Sequence, residues 1–148
     1  MIADVQKLME IEAAVPCHSK YTSPLHTMVW DSYRSLEDMY SYLDYLENKY
    51  DYVSTGVIGK SYEGRDMRVL KVCRGVCGHR PAVWGDGGIH AREFISLATV
   101  TWMIREIVEN DEAHPDMTRE VDWHILVCHN PDGYEYSRNE NRIWRKTR

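Results

Sequence analysis

Apolar positions recur at helical spacing in the first third of the chain and predict two helices. Residues 3–12 keep one apolar face, which predicts a short helix. A longer helix is predicted to begin after Ser35, because Ser35 stands three residues before Asp38, as in a capping box. The apolar positions of this second helix keep helical spacing at Leu36, Met39, Tyr40, Leu43, Leu46 and Tyr50. Residues 13–30 hold two prolines and show no periodicity, so we interpret them as a linker.

The rest of the chain alternates between strand-like and helix-like patterns. Two β-rich stretches, "YVSTGVIG" and "MRVLKVC", flank the turn-like "SYEGRD" and predict two adjacent antiparallel strands. "PAVW" predicts a third strand, the run from Arg92 to Asn110 predicts a helix, and "VDWHILVC" predicts a strand that is buried on both faces. The "NPDGY" that follows is typical of a turn. This strand, helix, strand order indicates an α/β fold with a parallel pair and a right-handed crossover.

Length and charge narrow the class of protein. The chain has 148 residues, which suits one domain, and its net charge of −5 argues against nucleic acid as the main partner. Residues 138–148 contain five basic residues and one acidic residue, Glu140. Because Ile143 and Trp144 lie among them, a packed segment is favoured over a solvated tail. No apolar run approaches the ~20 residues of a membrane span, and the first ten residues lack the features of a secretion signal.

The cysteines suggest one pairing without establishing it. Cys17, Cys73, Cys77 and Cys128 form no C-x-x-C zinc pattern. Cys73 and Cys77 flank a short turn and are candidates for a disulfide in a secreted protein, but spacing alone does not fix disulfide geometry. The pairing of the four cysteines therefore stays open from the sequence.

Candidate metal chemistry lies in "WGDGGIHAREFIS", where three glycines precede His90 and Glu93. On one helical turn, positions three apart share a face, so the imidazole and the carboxylate can converge on one ion. Zinc accepts both donor types, and a catalytic zinc commonly has three protein ligands and a water. The glycines at 85, 87 and 88 let the backbone turn sharply and leave room for a ligand. The simpler alternative is that Glu93 favours the positive end of its helix and His90 is an ordinary turn residue.

A second candidate is the arginine-rich "NRIWRKTR" at the end of the chain. Arginine presents a planar fork of donors that suits a carboxylate or a developing oxyanion. Packing of Trp144 would hold its neighbours in place. The alternative is a basic surface patch, and taken alone this motif does not exclude it.

Four motifs in this order, "SYEGRDMRVLKV", "GIHAREFIS", "NPDGYEYS" and "NRIWRKTR", resemble those of the zinc metallocarboxypeptidases of the A/B type. The resemblance extends from about Trp30 to Arg148. It implies a partial mixed β-sheet flanked by helices, the N-terminal half of a carboxypeptidase-like domain. It further implies that residues 1–15 end an inhibitory pro-domain, residues 16–29 form the activation linker and residues 30–148 begin the catalytic domain.

The resemblance also implies a role for each candidate residue. His90 and Glu93 match two of the three ligands of a Zn²⁺ cofactor. Arg145 matches the residue that polarises the scissile carbonyl and stabilises the tetrahedral intermediate, and Arg92 and Arg142 match arginines that line the substrate-binding subsites. The implied reaction is hydrolysis of the last peptide bond, with peptide or protein C-termini as substrates.

Several functional residues of this family match no position in the chain. The resemblance implies that the third zinc ligand, the general base and the residue that separates A-like from B-like specificity lie beyond Arg148, and His129 is a candidate for a local substitute ligand. We therefore predict the front part of a secreted zymogen that is inactive alone and is activated by a trypsin-like protease at Lys20. The alternatives are a non-catalytic fragment or binding protein that retains a partial zinc or peptide site, and an inhibitory or structural module that rests on the pro-domain-like helix.

Overall fold

The computed structural model describes residues 28–148 and three earlier residues, Lys7, Glu10 and His26. Lys7 and Glu10 are helical, in keeping with the predicted first helix. The rest of that helix, most of the predicted linker and its cleavage point at Lys20 lie outside the described residues. Within the described part, no helix combines the length and the apolar character that crossing a lipid bilayer requires.

Within the described residues, four strands form one mixed sheet at the centre of the fold. The strands are β1 (Val53–Lys60), β2 (Asp66–Val72), β3 (Ala82–Asp86) and β4 (Asp122–Leu126). They lie side by side in the order β1-β2-β4-β3, so that β3 is an edge strand. β2 pairs antiparallel with both β1 and β4, whereas β3 and β4 are parallel. The predicted hairpin and the predicted parallel pair are both confirmed.

Helices flank this sheet, as the sequence predicts. From Leu36 onward they are α1 (Leu36–Lys49), α2 (Phe94–Val108), α3 (Asp116–Arg119) and α4 (Pro131–Asn139), with a 3₁₀ turn at Asp111–Ala113. α2 connects β3 to β4 and is therefore the crossover of the parallel pair. The predicted fold class, a partial mixed sheet flanked by helices, is confirmed.

The start of α1 follows the predicted capping box. The Ser35 hydroxyl accepts from the Asp38 amide at 3.0 Å, and the Asp38 carboxylate accepts from the Ser35 amide at 3.3 Å. Tyr42, which the prediction omits, is fully buried and its hydroxyl donates to Glu109 at 2.9 Å. The buried hydroxyl is tolerated because this hydrogen bond replaces the one that water would make.

The range predicted for α2 and the turn predicted at "NPDGY" are both wrong. α2 begins at Phe94 rather than at Arg92, because Arg92 lies in a turn that precedes the helix. "NPDGY" is not a turn between elements but the start of α4. Asn130 is the N-cap residue, with its side chain accepting from the Gly133 amide, and Pro131 occupies the first turn. Proline suits that position because its missing amide hydrogen would have no partner there.

The core lies between α1, α2 and one face of the sheet. Leu70 pairs with Ile125 and Val72 with Trp123 across β2 and β4, and all four side chains belong to this core. Leu126 is also buried, although its neighbours in β4 point to the other face. β4 is thus buried on both faces, as predicted, with only its central His124 half-exposed.

A disulfide between Cys73 and Cys77 closes the loop that follows β2. The two residues are four positions apart, with a Cα–Cα distance of 5.3 Å that is ordinary for a disulfide. Cys128 is a free, buried thiol. The pairing suggested by the sequence is therefore present in the structure.

Reduction of this disulfide is expected to lower the free energy of unfolding by about 2 kcal/mol, the loop-closure entropy of a loop of about five residues. The measurement is the urea midpoint of the chain with and without a phosphine reductant. A double variant, Cys73→Ser with Cys77→Ser, is the control and should not respond to the reductant. An unchanged midpoint in the unsubstituted chain would contradict a stabilising role.

Candidate active site

The loop between β3 and α2 begins with a glycine that close packing requires. The Gly87 amide donates to the Leu126 carbonyl at 3.2 Å, and the Gly87 carbonyl accepts from the His129 amide at 2.8 Å. These bonds extend the pairing of β3 with β4 beyond the strand ends. A Cβ added at Gly87 would lie 2.8 Å from the Val100 side chain on α2, so any larger residue would push the loop away from the helix.

Gly88 is required for a second reason. Its φ of +70° lies in the left-handed region that glycine adopts without strain. Its amide donates to the Ser96 hydroxyl at 3.0 Å, and a Cβ there would meet Leu97 at 2.8 Å. Gly85 differs from both, because it lies inside β3 with no atom within 4 Å of an added Cβ. The predicted sharp turn therefore depends on Gly87 and Gly88 alone.

His90 and Glu93 lie in a tight turn rather than on a helical turn. The Glu93 amide donates to the His90 carbonyl at 3.1 Å, so the turn brings the two residues together just before α2. Glu93 occupies the N-cap position of α2, as the simpler alternative requires, but its side chain makes no capping hydrogen bond. Its exposed carboxylate makes no hydrogen bond or ion pair with the described residues and is free to bind a ligand.

The C-terminal segment brings Arg145 against this turn. The Ala91 amide donates to the Arg145 carbonyl at 3.1 Å. The Arg145 guanidinium then donates to Nε2 of His90 at 2.6 Å. These residues are 55 positions apart in the chain, yet the structure brings them into direct contact.

Arg142 is held on the same side of the fold. Its guanidinium donates to the Arg92 carbonyl at 2.9 Å and lies 3.8 Å from the centre of the Phe94 ring. This contact combines a hydrogen bond with a cation–π interaction. Arg92 contributes a backbone carbonyl to the cluster, while its own side chain is exposed to solvent. The five predicted site residues thus lie on two segments that touch each other.

His129, the predicted substitute ligand, contributes its backbone amide to the Gly87 carbonyl and has an exposed side chain. Across residues 28–148 and the three earlier described positions, no three side chains of histidine, cysteine, aspartate or glutamate come together in a metal-binding group. The imidazole of His90 and the carboxylate of Glu93 are of the types that zinc accepts. The described residues therefore offer two fitting donors without a third.

Two residues that support the site were missed in the sequence. Asn130 links the first turn of α4 to the segment that carries Arg145, because Nδ2 of its side chain donates to the Lys146 carbonyl at 3.0 Å. Asp132 is buried in that same turn. The signals were present, since asparagine before proline is typical of a helix start and aspartate is favoured in a first turn. The same residues are equally typical of a turn.

Asp132 ties α4 to the β1–β2 hairpin. Its carboxylate accepts from the Ser61 hydroxyl at 2.7 Å, the Glu63 amide at 2.9 Å and the Arg65 guanidinium at 2.7 Å. Burial alone would raise the pKa of Asp132, but these three donors stabilise the charged form and the net effect lowers the pKa. Asp132 is thus held ionised, and it fixes where α4 begins.

The loop rests on an unreactive thiol. A Cβ at Gly88 would lie 3.3 Å from Sγ of Cys128, so the loop packs directly over this side chain. Burial raises the pKa of the Cys128 thiol to about 12. Cys128 is therefore a packing residue, because the thiolate is the reactive form of cysteine.

Comparisons with known proteins agree on one family. The family model described as zinc carboxypeptidase, Peptidase_M14, matches residues 39–148. Carboxypeptidase B of Astacus astacus is 40% identical over 122 residues, which cover 82% of this chain and 40% of that protein. Carboxypeptidase A1 of Bos taurus is 38% identical over 154 residues, which cover 100% of this chain and 36% of that protein.

Solved structures agree with the sequence comparisons. The crystal structure of carboxypeptidase A from Helicoverpa armigera matches with a TM-score of 0.87 and 30% identity, covering 98% of this chain and 36% of that structure. The crystal structure of thrombin activatable fibrinolysis inhibitor matches with a TM-score of 0.84 and 30% identity, covering 97% of this chain and 36% of that structure. The chain thus spans well under half the length of these relatives. The chain belongs to the zinc carboxypeptidase family.

Proposed function

We propose that this chain is part of a zinc-dependent carboxypeptidase that releases C-terminal amino acids from peptides. The observation that carries the proposal is that the fold places the Arg145 guanidinium beside the His90 ring, 2.6 Å from its Nε2. Acyl transfer needs a cationic donor close to the metal, because negative charge develops on the carbonyl oxygen of the substrate in the transition state. Arg145 beside the candidate ligand His90 provides such a donor.

In this proposal His90 and Glu93 hold the zinc ion. A bound zinc ion supplies Lewis-acid chemistry, which polarises a carbonyl group and activates water as a nucleophile. Arg145 donates hydrogen bonds to the carbonyl oxygen of the bond to be cleaved as its charge develops. The hydrogen bond between the Ala91 amide and the Arg145 carbonyl supports this role, because it holds the arginine backbone against the metal-binding turn.

Arg92 and Arg142 are proposed to bind the peptide chain beside the scissile bond. The exposed Arg92 guanidinium is available to a substrate carbonyl or carboxylate. Arg142 is restrained by the Phe94 ring and the Arg92 carbonyl, so less side-chain entropy is lost when it binds a ligand.

The remaining catalytic groups are proposed to come from sequence beyond Arg148. The described residues offer no group of three metal ligands, and the relatives are more than twice as long as this chain. Hydrolysis without a third ligand and a general base should be negligible. We therefore propose that residues 1–148 are inactive by themselves.

We also propose that the protein is a secreted zymogen. The Cys73–Cys77 disulfide supports this, because disulfides persist mainly in oxidising compartments. In this proposal residues 1–15 end a pro-domain, residues 16–29 form the linker and a trypsin-like protease cleaves after Lys20. N-terminal sequencing after limited trypsin digestion tests the position, and cleavage after Lys7 or Arg34 without cleavage after Lys20 would contradict it.

The proposed activity is tested with paired peptides that differ only in a free or an amidated C-terminus. The polypeptide extended past Arg148 should release one residue from the free peptide alone, and a zinc chelator should abolish the release. Mass spectrometry measures the product. Equal cleavage of the amidated peptide, or activity that survives chelation, would contradict the proposal.

A non-catalytic binding protein is the second candidate. The observation in its favour is the absence of a three-ligand group among the described residues. If this candidate is correct, the extended polypeptide binds peptide C-termini without cleaving them. Release of amino acids that is lost in Glu93→Ala would exclude it.

A further inference from the structure

Asn130 lies at the junction of three segments. It is 3% exposed and stands between the end of β4 and the first turn of α4. Its Oδ1 accepts from the Gly133 amide at 3.0 Å, which caps α4. Its Nδ2 donates to the Lys146 carbonyl at 3.0 Å and lies 3.5 Å from the Ile89 carbonyl.

The two carbonyls at this amide flank the candidate site. Lys146 directly follows Arg145, and Ile89 directly precedes His90. One side-chain amide thus faces the backbone beside the cationic group and the backbone beside the metal-binding turn. The first contact has ordinary hydrogen-bond length and the second is long, so the C-terminal segment is the one held more firmly.

Packing leaves little room for this segment to move toward α4. A Cβ added to Gly133 would lie 2.5 Å from Nδ2 of Asn130 and 2.6 Å from the Lys146 carbonyl oxygen. The backbone after Arg145 is therefore in close contact with the first turn of α4. The hydrogen bond from Asn130 fixes the position of that backbone along the turn.

We propose that Asn130 is a positioning residue, which sets the Arg145 guanidinium against His90 through the backbone of Lys146. Its importance for catalysis rests on the proposed function, but the positioning itself does not. A misplacement of about 1 Å in a catalytic group can cost roughly a hundredfold in rate. Asn130 touches neither the substrate nor the metal in this proposal.

The two ends of the Asn130 side chain allow its two roles to be separated. Asn130→Asp keeps the oxygen that caps α4 and removes the amide donor that faces Lys146. Asn130→Ser also keeps a good cap and adds no charge. Both variants should retain α4 while they release the C-terminal segment.

The matched control is Asn141→Asp. Its Oδ1 accepts from the Ile143 amide at 3.3 Å, so the variant keeps its hydrogen bond and makes the same change of charge. It lies in the same C-terminal segment, four positions before Arg145. An effect of added charge near Arg145 would appear in Asn141→Asp as well as in Asn130→Asp, and the uncharged Asn130→Ser excludes an effect of charge at the buried position.

The experiment is nuclear magnetic resonance of the 148-residue chain. In both Asn130 variants we expect loss of the cross-relaxation between the Arg145 guanidinium and the His90 ring. The Gly133 amide should stay protected from hydrogen exchange to within about threefold, since the cap is kept. Asn141→Asp should keep both signals. Survival of the contact between Arg145 and His90 in either Asn130 variant would overturn the proposal, as would loss of Gly133 protection alongside it.

The kcat and KM of the extended polypeptide provide a second test of the role of Asn130. Asn130→Asp should lower kcat by roughly tenfold to a hundredfold, with KM nearly unchanged, because the misplaced arginine acts on the transition state. A raised KM with unchanged kcat would contradict positioning of Arg145. An extended polypeptide without any peptidase activity would overturn the proposed function and leave the resonance experiment to decide the role of Asn130.

Discussion

Replacing Glu93 by glutamine is expected to weaken Zn²⁺ binding by roughly a hundredfold or more, and to abolish measurable peptidase activity in the polypeptide extended past Arg148. Loss of a residue that only supports a metal ligand already costs tenfold to a hundredfold in affinity, and a ligand should cost at least as much. Glutamine keeps the size of the side chain and removes the charge. The Glu93 carboxylate has no hydrogen bond or ion pair within the described residues, so folding loses little.

Zn²⁺ affinity is measured by competition with a chromophoric chelator, and stability by urea unfolding of the metal-free protein. Glu112→Gln is the matched control, because Glu112 is an exposed carboxylate in the 3₁₀ turn after α2. It should leave both quantities unchanged. Unaltered Zn²⁺ affinity in Glu93→Gln would show that the metal binds elsewhere, and a large loss of stability would indicate that Glu93 is structural.

Replacing Asp132 by asparagine is expected to lower the free energy of unfolding by about 2 kcal/mol at pH 7, the scale for losing hydrogen bonds to a charged group. The carboxylate accepts three hydrogen bonds and its side chain is 4% exposed. An asparagine offers one acceptor oxygen and turns an amide toward at least one of those donors. Arg65 keeps its other partner, Glu63, so the loss falls mainly on the connection between α4 and the hairpin.

The effect of Asp132→Asn should depend on pH in one direction. The folded protein holds the pKa of Asp132 below its ordinary value of 3.8. Its contribution to stability is therefore complete above 3.8 and is lost as the pH falls through the lowered pKa. The difference between the unsubstituted chain and the variant should shrink in that acid range.

Urea midpoints measured at pH 7 and at decreasing acid pH test this expectation. Asp51→Asn is the matched control, because Asp51 is an exposed carboxylate between α1 and β1. It should change stability by less than about 0.5 kcal/mol. If Asp132→Asn lowered the free energy of unfolding by less than about 0.5 kcal/mol, or if its effect grew as the pH fell, the role assigned to the Asp132 carboxylate would be contradicted.

Local signals in the sequence predicted most of the fold. The capping box at Ser35 and Asp38 fixed the start of α1, because both partners lie within one turn. The hairpin of β1 and β2 followed from two β-rich runs around a short turn. The first turn of α4 was missed because asparagine, proline and aspartate serve both turns and helix starts, and only the pairing of Asp132 with the distant Ser61 and Arg65 decides between them.

The candidate site was harder to predict, because its parts are distant in the chain. Spacing alone brought His90 and Glu93 together, but it assigned them to a helix where the structure has a turn. The approach of Arg145 to His90 spans 55 positions and follows no local pattern. Resemblance to a family was the source of that expectation. Asn130 was missed altogether, since its role depends on two backbone carbonyls from separate segments.

The bridge between Cys73 and Cys77 encloses Arg74, a residue after which trypsin-like proteases cut. The Arg74 side chain is engaged by Asp111, by the Thr118 hydroxyl at 3.3 Å and by the Tyr52 ring at 3.9 Å, which makes the site a poor fit for a protease pocket. A cut there would still leave both pieces covalently joined through sulfur. A protein proposed to meet trypsin-like proteases during activation would thus remain one covalent unit across β2 and β3 after an accidental nick.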